Sequence, residues 1–201
     1  MSEVEAKVVL LGKNHAGKTC LWHRYFRNKF DEDCQCTLGA AFKSRQEEID
    51  GDKVKLRIWD TVGDEKYEAL CNHYYRGATA AVICYDLTND ISYDKARFWV
   101  AELRRHRENC EIFLCGTKLD LIKEGKKKRQ VDCKSVKHYA NEINAKVFET
   151  SSKSGENVWE LFYDVAKTCL EKRTANPLIG DQGLLSLRME EPQNRKRCQC
   201  Q

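Results

Sequence analysis

Gly12-Lys13-Asn14-His15-Ala16-Gly17-Lys18-Thr19 is the most informative octet in the sequence. It has the form G-x-x-x-x-G-K-[ST]. It follows a short apolar run, Lys7–Leu11 (KVVLL), and opens a helical stretch, which is the context the motif requires. Backbone amides at a helix start wrap phosphate oxygens. Lys18 reaches the outer phosphates and the Thr19 hydroxyl ligates magnesium. The predicted cradle comprises Gly12, Asn14, His15, Ala16, Gly17, Lys18, Thr19 and Cys20. Asn14 and His15 are bulky and project toward the outer phosphate. Three readings of the His15 side chain exist: a catalytic acid, a phosphate contact or an exposed loop residue. The last is favoured, because nothing nearby in sequence orients it.

Working outward, apolar runs alternate with helical patterns. Ala80–Asp86 (AAVICYD) and Ile112–Gly116 (IFLCG) are continuous apolar runs, the mark of central parallel strands covered on both faces. Lys53–Trp59 (KVKLRIW) alternates strictly and reads as a strand with one wet face. Asp50-Gly51-Asp52 is a hairpin turn pairing it with a strand over about 41–49. Lys146–Glu149 is a further short strand. Tyr93, Ala96, Trp99, Val100 and Leu103 form one apolar helical stripe. Val136, Tyr139, Ala140 and Ile143 form a second, and Val158, Leu161, Phe162 and Val165 a third. The expected class is α/β: a doubly wound, mostly parallel six-stranded sheet with helices on both faces, binding its ligand beyond the carboxyl ends of the strands.

Composition narrows the function classes. The chain has 201 residues, 33% charged and 41% hydrophobic, and a net charge of +4. At about 150 residues per domain this is one domain with an appendage. The near-balance of 35 basic and 31 acidic residues argues against a dedicated nucleic-acid binder. No run of about 18 apolar residues exists. The N-terminus is no signal peptide, and Ser2 excludes N-myristoylation. A cytoplasmic chain is expected, in which eleven cysteines need not form disulfides. Cys84 and Cys115 read as core residues, and the absence of a CxxC pair argues against structural zinc. Lys123–Arg129 is a basic surface loop. After about Arg173 the helical pattern stops and both prolines appear, so 174–201 reads as a flexible tail behind a globular part of 6–173.

The octet alone does not fix the nucleotide. Thr37-Leu38-Gly39, Trp59-Asp60-Thr61-Val62-Gly63, Thr117-Lys118-Leu119-Asp120 and Glu149-Thr150-Ser151-Ser152-Lys153 stand in the order and spacing of the Ras-superfamily small GTPases, which the chain resembles over residues 6–173. Trp59-Asp60-Thr61 and Tyr74-Tyr75-Arg76-Gly77-Ala78 are similar to the Rab branch. CYDLT at 84–88, LCGTK-x-DL at 114–121 and FETSSK-x-G at 148–155 look like a divergent member of it. The resemblance implies GTP or GDP as ligand and Mg2+ as cofactor. Asp60 and Thr19 would hold the metal, joined by Thr37 when the third phosphate is present. The Gly63 amide would donate to that phosphate. Thr37 and Gly63 would thereby order two switch loops, about 31–41 and 60–75. Phe30 would stack across the guanine, Lys118 would lie along base and sugar, and Ser151, Ser152 and Lys153 would close the pocket. Asp120 would accept two guanine N–H donors that adenine lacks, a bidentate contact worth about 1–3 kcal/mol of discrimination.

The departures from that family carry expectations too. Asp64 stands where a glutamine usually orients the attacking water. An aspartate only accepts, and its charge opposes an anionic phosphate. Lys18, Thr37, Gly63 and Asp64 are thus the catalytic set of a slow hydrolase, or of a GTP-binding scaffold with negligible turnover. A small-molecule kinase on the same phosphate loop is disfavoured by the other motifs. Val62 replaces an alanine, and Ser152 replaces another. Thr117 replaces an asparagine that bridges base and phosphate loop, and losing one such bond costs about 1 kcal/mol. Cys34 and Cys36, in the first switch, read as exposed thiols, since a disulfide across one residue is strained. Arg195-Lys196-Arg197-Cys198-Gln199-Cys200-Gln201 ends the chain. Cysteines there after a basic run resemble prenylation sites, so Cys198 and Cys200 are the expected lipid sites. The family implies effectors on the switch loops, an exchange factor, a prenyltransferase with its escort protein, peripheral attachment to endomembranes and room for a GTPase-activating protein; the likeness to the divergent member implies an autophagic or late endosomal setting.

Overall fold

The computed structural model describes residues 3–31, 41–62 and 75–175. Six strands are present among the described residues: β1 Glu3–Leu11, β2 Ala41–Ile49, β3 Asp52–Asp60, β4 Ala80–Asp86, β5 Glu111–Thr117 and β6 Lys146–Glu149. The helices among the described residues are α1 Lys18–Arg27, α2 Asp90–His106, α3 Leu119–Lys123, α4 Cys133–Glu142 and α5 Val158–Ala175. The sheet order is β2-β3-β1-β4-β5-β6. Only the β2–β3 hairpin is antiparallel; the remaining pairs are parallel. This is the doubly wound sheet the sequence led one to expect.

The period-two geometry of a strand explains how the core divides. Along β4, Ala80, Val82 and Cys84 face one layer, where Leu21, Trp22 and Tyr25 of α1 meet Leu161, Phe162 and Val165 of α5. Ala81, Ile83 and Tyr85 face the other layer, with Trp99 and Leu103 of α2 and Val136 and Ala140 of α4. Every residue of β4 is buried, as its unbroken apolar run demands.

Two boundaries differ from the sequence reading, and one short helix was not foreseen by it. β1 begins at Glu3, not Lys7. Val4 and Ala6 alternate into the core, while Glu5 turns outward to pair with Lys55 at 2.9 Å, so charges that interrupt the apolar run do not end the strand. Helix α5 continues two residues past Arg173, to Ala175. The short α3 had no apolar stripe to announce it. Cys34, Cys36, Thr37, Gly63, Asp64, Cys198 and Cys200 lie outside the described residues.

Candidate functional site

The phosphate loop sits at the carboxyl end of β1, with its backbone turned as no ordinary residue allows. Gly12 has φ 140°, and a Cβ there would lie 2.2 Å from the Cys84 carbonyl oxygen. Gly17, at φ 83°, caps α1, and its missing Cβ leaves room for the Thr117 side chain. These two positions let the loop lie flat on the strand ends. Lys18 is only 5% exposed. Its ammonium donates to the Gly12 and Lys13 carbonyls at 3.0 and 3.1 Å, which aims it back across the loop. Thr19 follows in the first turn of α1, and Cys20 is half-buried behind it. His15 is exposed with φ 62°, as the sequence reading favoured. Its amide donates to the Asn14 side chain at 2.9 Å. Ala16 is buried.

Asp60 ends β3 opposite Leu10 and is wholly buried. Next to it, the Thr61 hydroxyl donates to the Leu10 carbonyl at 2.7 Å, holding the strand end to β1. Lys18 and Asp60 both act electrostatically on the Cys84 thiol, so opposite charges converge on the same strand ends. That thiol is held well above its ordinary range, first by its hydrogen bond to Cys115 and then by burial, so it is a neutral core group. A buried carboxylate and a hydroxyl are hard oxygen donors. Such a donor set suits Mg2+, which is usually bound through one or two protein oxygens plus phosphate and water.

The base side of the site is built from the ends of β5 and β6. Thr117 closes β5 and is 1% exposed. Its hydroxyl lies 2.9 Å from the Ala16 carbonyl and 3.0 Å from that of Tyr85. The tie to the phosphate loop, which the sequence led one to expect lost with asparagine, is therefore kept by a hydroxyl. Lys118 takes a left-handed conformation at φ 62°, and its ammonium meets Asp86 at 2.7 Å. Burial raises the Asp86 pKa. The Lys118 ammonium and the amide and hydroxyl of Thr88 outweigh it, so the carboxyl ends below its ordinary value.

Asp120 lies in the first turn of α3, and its Oδ1 accepts from the Ser151 hydroxyl at 2.7 Å. Ser151 is itself buried on the loop after β6, and the Leu119 amide donates to the Thr150 carbonyl at 3.1 Å. The Ser152 and Lys153 carbonyls accept from Arg24 at 2.6 Å each. Phe30 is half-buried beyond the end of α1. The structure thus gathers the predicted residues Gly12, 14–20, Asp60, Thr117, Lys118, Asp120 and 151–153 at one end of the sheet, whereas Thr37, Gly63 and Asp64 fall outside what is described. Arg24 and Asp86 are supporting residues that sequence reading missed.

Comparison with known proteins agrees with this geometry. Residues 7–171 match the Ras family. The chain is 45% identical over 175 residues to the Ras-related protein Rab-24 of Dictyostelium discoideum, covering 87% of this chain and 85% of that one. It is 44% identical to the Ras-related protein Rab-21 of Geodia cydonium, over 87% of this chain and 73% of the relative. It is 43% identical to the GTP-binding protein ypt5 of Schizosaccharomyces pombe, over 82% and 77% respectively. With a family match spanning the sheet, its helices and both halves of the site, this chain belongs to the Ras family of small GTPases, in the Rab branch.

Proposed function

We propose that the chain is a Rab-type switch that binds GTP, hydrolyses it slowly and recruits effectors to an endomembrane while GTP-bound. The observation that carries this reading is the joining of two half-sites by one hydroxyl. Thr117 ties the phosphate loop at Ala16 to the strand that delivers Lys118 and Asp120. A phosphate-binding loop alone serves many nucleotides. Its rigid attachment to a carboxylate suited to guanine's donor edge serves guanine nucleotides.

The chemistry is in-line attack of water on the third phosphate. Lys18, held across the loop, neutralises charge on the outer phosphates. Thr19 and Asp60 would hold Mg2+, which supplies electrostatic stabilisation of the phosphate oxygens. Asp120 accepts from the base, while Ser151 to Lys153 close the pocket. Thr37 and Gly63 sense the third phosphate and order the switch loops. Asp64 gives the water no donor-and-acceptor partner, so turnover is slow until an activating protein supplies what is missing. Cys198 and Cys200 anchor the chain after prenylation. The likeness to a Rab-24 relative supports an autophagic or late endosomal setting.

The test is the nucleotide that co-purifies with the protein, read by chromatography. Mostly GTP is expected; mostly GDP contradicts the slow-turnover reading, and an empty site contradicts tight binding. In single-turnover hydrolysis at saturating magnesium, Asp64→Gln is expected to raise the rate by about tenfold or more, equivalent to about 1.4 kcal/mol off the barrier. An unchanged rate favours the scaffold that binds GTP without turning it over.

A further inference from the structure

Arg24 stands on α1, the helix whose first turn carries Lys18 and Thr19. Its guanidinium is directed at the loop that closes the base pocket. Nε donates to the Ser152 carbonyl and Nη2 to the Lys153 carbonyl, both at 2.6 Å. Nη1 donates to the Asn28 carbonyl and side-chain oxygen, both at 3.0 Å. A planar fork is needed to grip two consecutive carbonyls at once.

The grip has a consequence on the far side of the loop. A trans peptide is planar, so its N–H points opposite to its C=O. With the Lys153 carbonyl drawn toward α1, the Ser154 amide is turned away from it and donates to the Ser151 Oγ at 3.1 Å. The Ser151 hydroxyl in turn donates to Asp120 Oδ1 at 2.7 Å. The hydrogen bonds form a chain with one direction throughout: guanidinium to carbonyl, peptide N–H to hydroxyl, hydroxyl to carboxylate. It starts on a cation and ends on an anion. Links aligned this way polarise one another, and each strengthens the next.

We propose that Arg24 is a positioning residue for base recognition. Acting through the Lys153–Ser154 peptide and Ser151, it fixes the angle at which Asp120 presents its carboxylate to the donor edge of the base. This rests on the reading of Asp120 as the guanine acceptor. A tie serving only to pack helix against loop would be indifferent to which purine is bound; this one ends on an oxygen of the carboxylate that distinguishes purines.

The experiment compares dissociation constants of GDP and IDP for the full chain, its Arg24→Gln variant and its Arg24→Lys variant, with magnesium present. Hypoxanthine lacks guanine's 2-amino donor, so the GDP-over-IDP ratio reports how well both carboxylate oxygens are aimed. In Arg24→Gln that ratio is expected to shrink by about five- to tenfold, the factor that goes with about one net hydrogen bond. Arg24→Lys keeps the charge and reaches one carbonyl without the fork, so it should shrink the ratio less. If GDP and IDP weaken by the same factor in Arg24→Gln, the residue is only structural and the proposal fails. Should that variant not fold, a wild-type ratio in Arg24→Lys overturns the proposal equally. A wild-type protein with no GDP-over-IDP preference overturns the reading of Asp120 itself, and the proposal with it.

Discussion

Thr117 shows how one hydroxyl can take over part of a larger side chain's work. Its oxygen faces two buried carbonyls, Ala16 and Tyr85, but it has a single proton to share between them. Thr117→Val keeps the shape and deletes that proton. Two buried acceptors then lose their donor, at about 1–3 kcal/mol, and the phosphate loop is no longer tied to β5. Release of a fluorescent GDP analogue should quicken by about tenfold, the equivalent of about 1.4 kcal/mol. Release at the wild-type rate would show that the tie does not retain nucleotide. Asp86 makes a prediction about pH. Its folded pKa lies below the ordinary 3.8, so the stability it contributes is present above pH 3.8 and is lost as pH falls through the lowered value. The Tm difference between wild type and Asp86→Asn should therefore be largest near neutrality and close in acid. A gap that stays constant down to pH 2 contradicts the assignment.

At the scale of elements, the decisive contacts are backbone against backbone. The strand carrying Cys84 presses its carbonyl where any side chain at Gly12 would sit. Gly12→Ala should therefore push the phosphate loop off the strand, abolishing nucleotide retention and lowering Tm. A variant that still retains nucleotide at the wild-type level would mean the loop can shift at little cost. Such close approaches mark what the sequence could and could not reveal. β4 and β5 were legible because burial on both faces leaves an unbroken apolar run, and the phosphate loop because its glycines, lysine and threonine are contiguous. Asp120 and Ser151 were legible only through family resemblance, since nothing in their spacing says that one hydrogen bonds the other. Arg24 was illegible: on a helix it resembles any basic surface residue, and its partners are carbonyls 128 and 129 residues away. Asp86 was hidden inside an apolar run whose end it shares with the site.

At the scale of the whole molecule, the proposed function couples a nucleotide site to a tail that would find a membrane. One prenyl chain beside a few basic residues gives marginal, reversible attachment, whereas two chains give stable anchoring. Cys198→Ser or Cys200→Ser alone should shift the protein partly to the soluble fraction of a cell, and the double variant should release it fully. A double variant that stays with membranes rules the tail cysteines out as anchors. Helix α5 governs how this works in space. It leaves the base-closing loop at Val158 and ends at Ala175, and its eighteen residues at about 1.5 Å each span about 27 Å. Under the proposed function the helix would act as a mast, ending at Ala175 on the side of the sheet away from the loop that would close the base pocket. Traffic of nucleotide in and out of its pocket would then proceed without competing for space with a lipid surface met at the helix's far end.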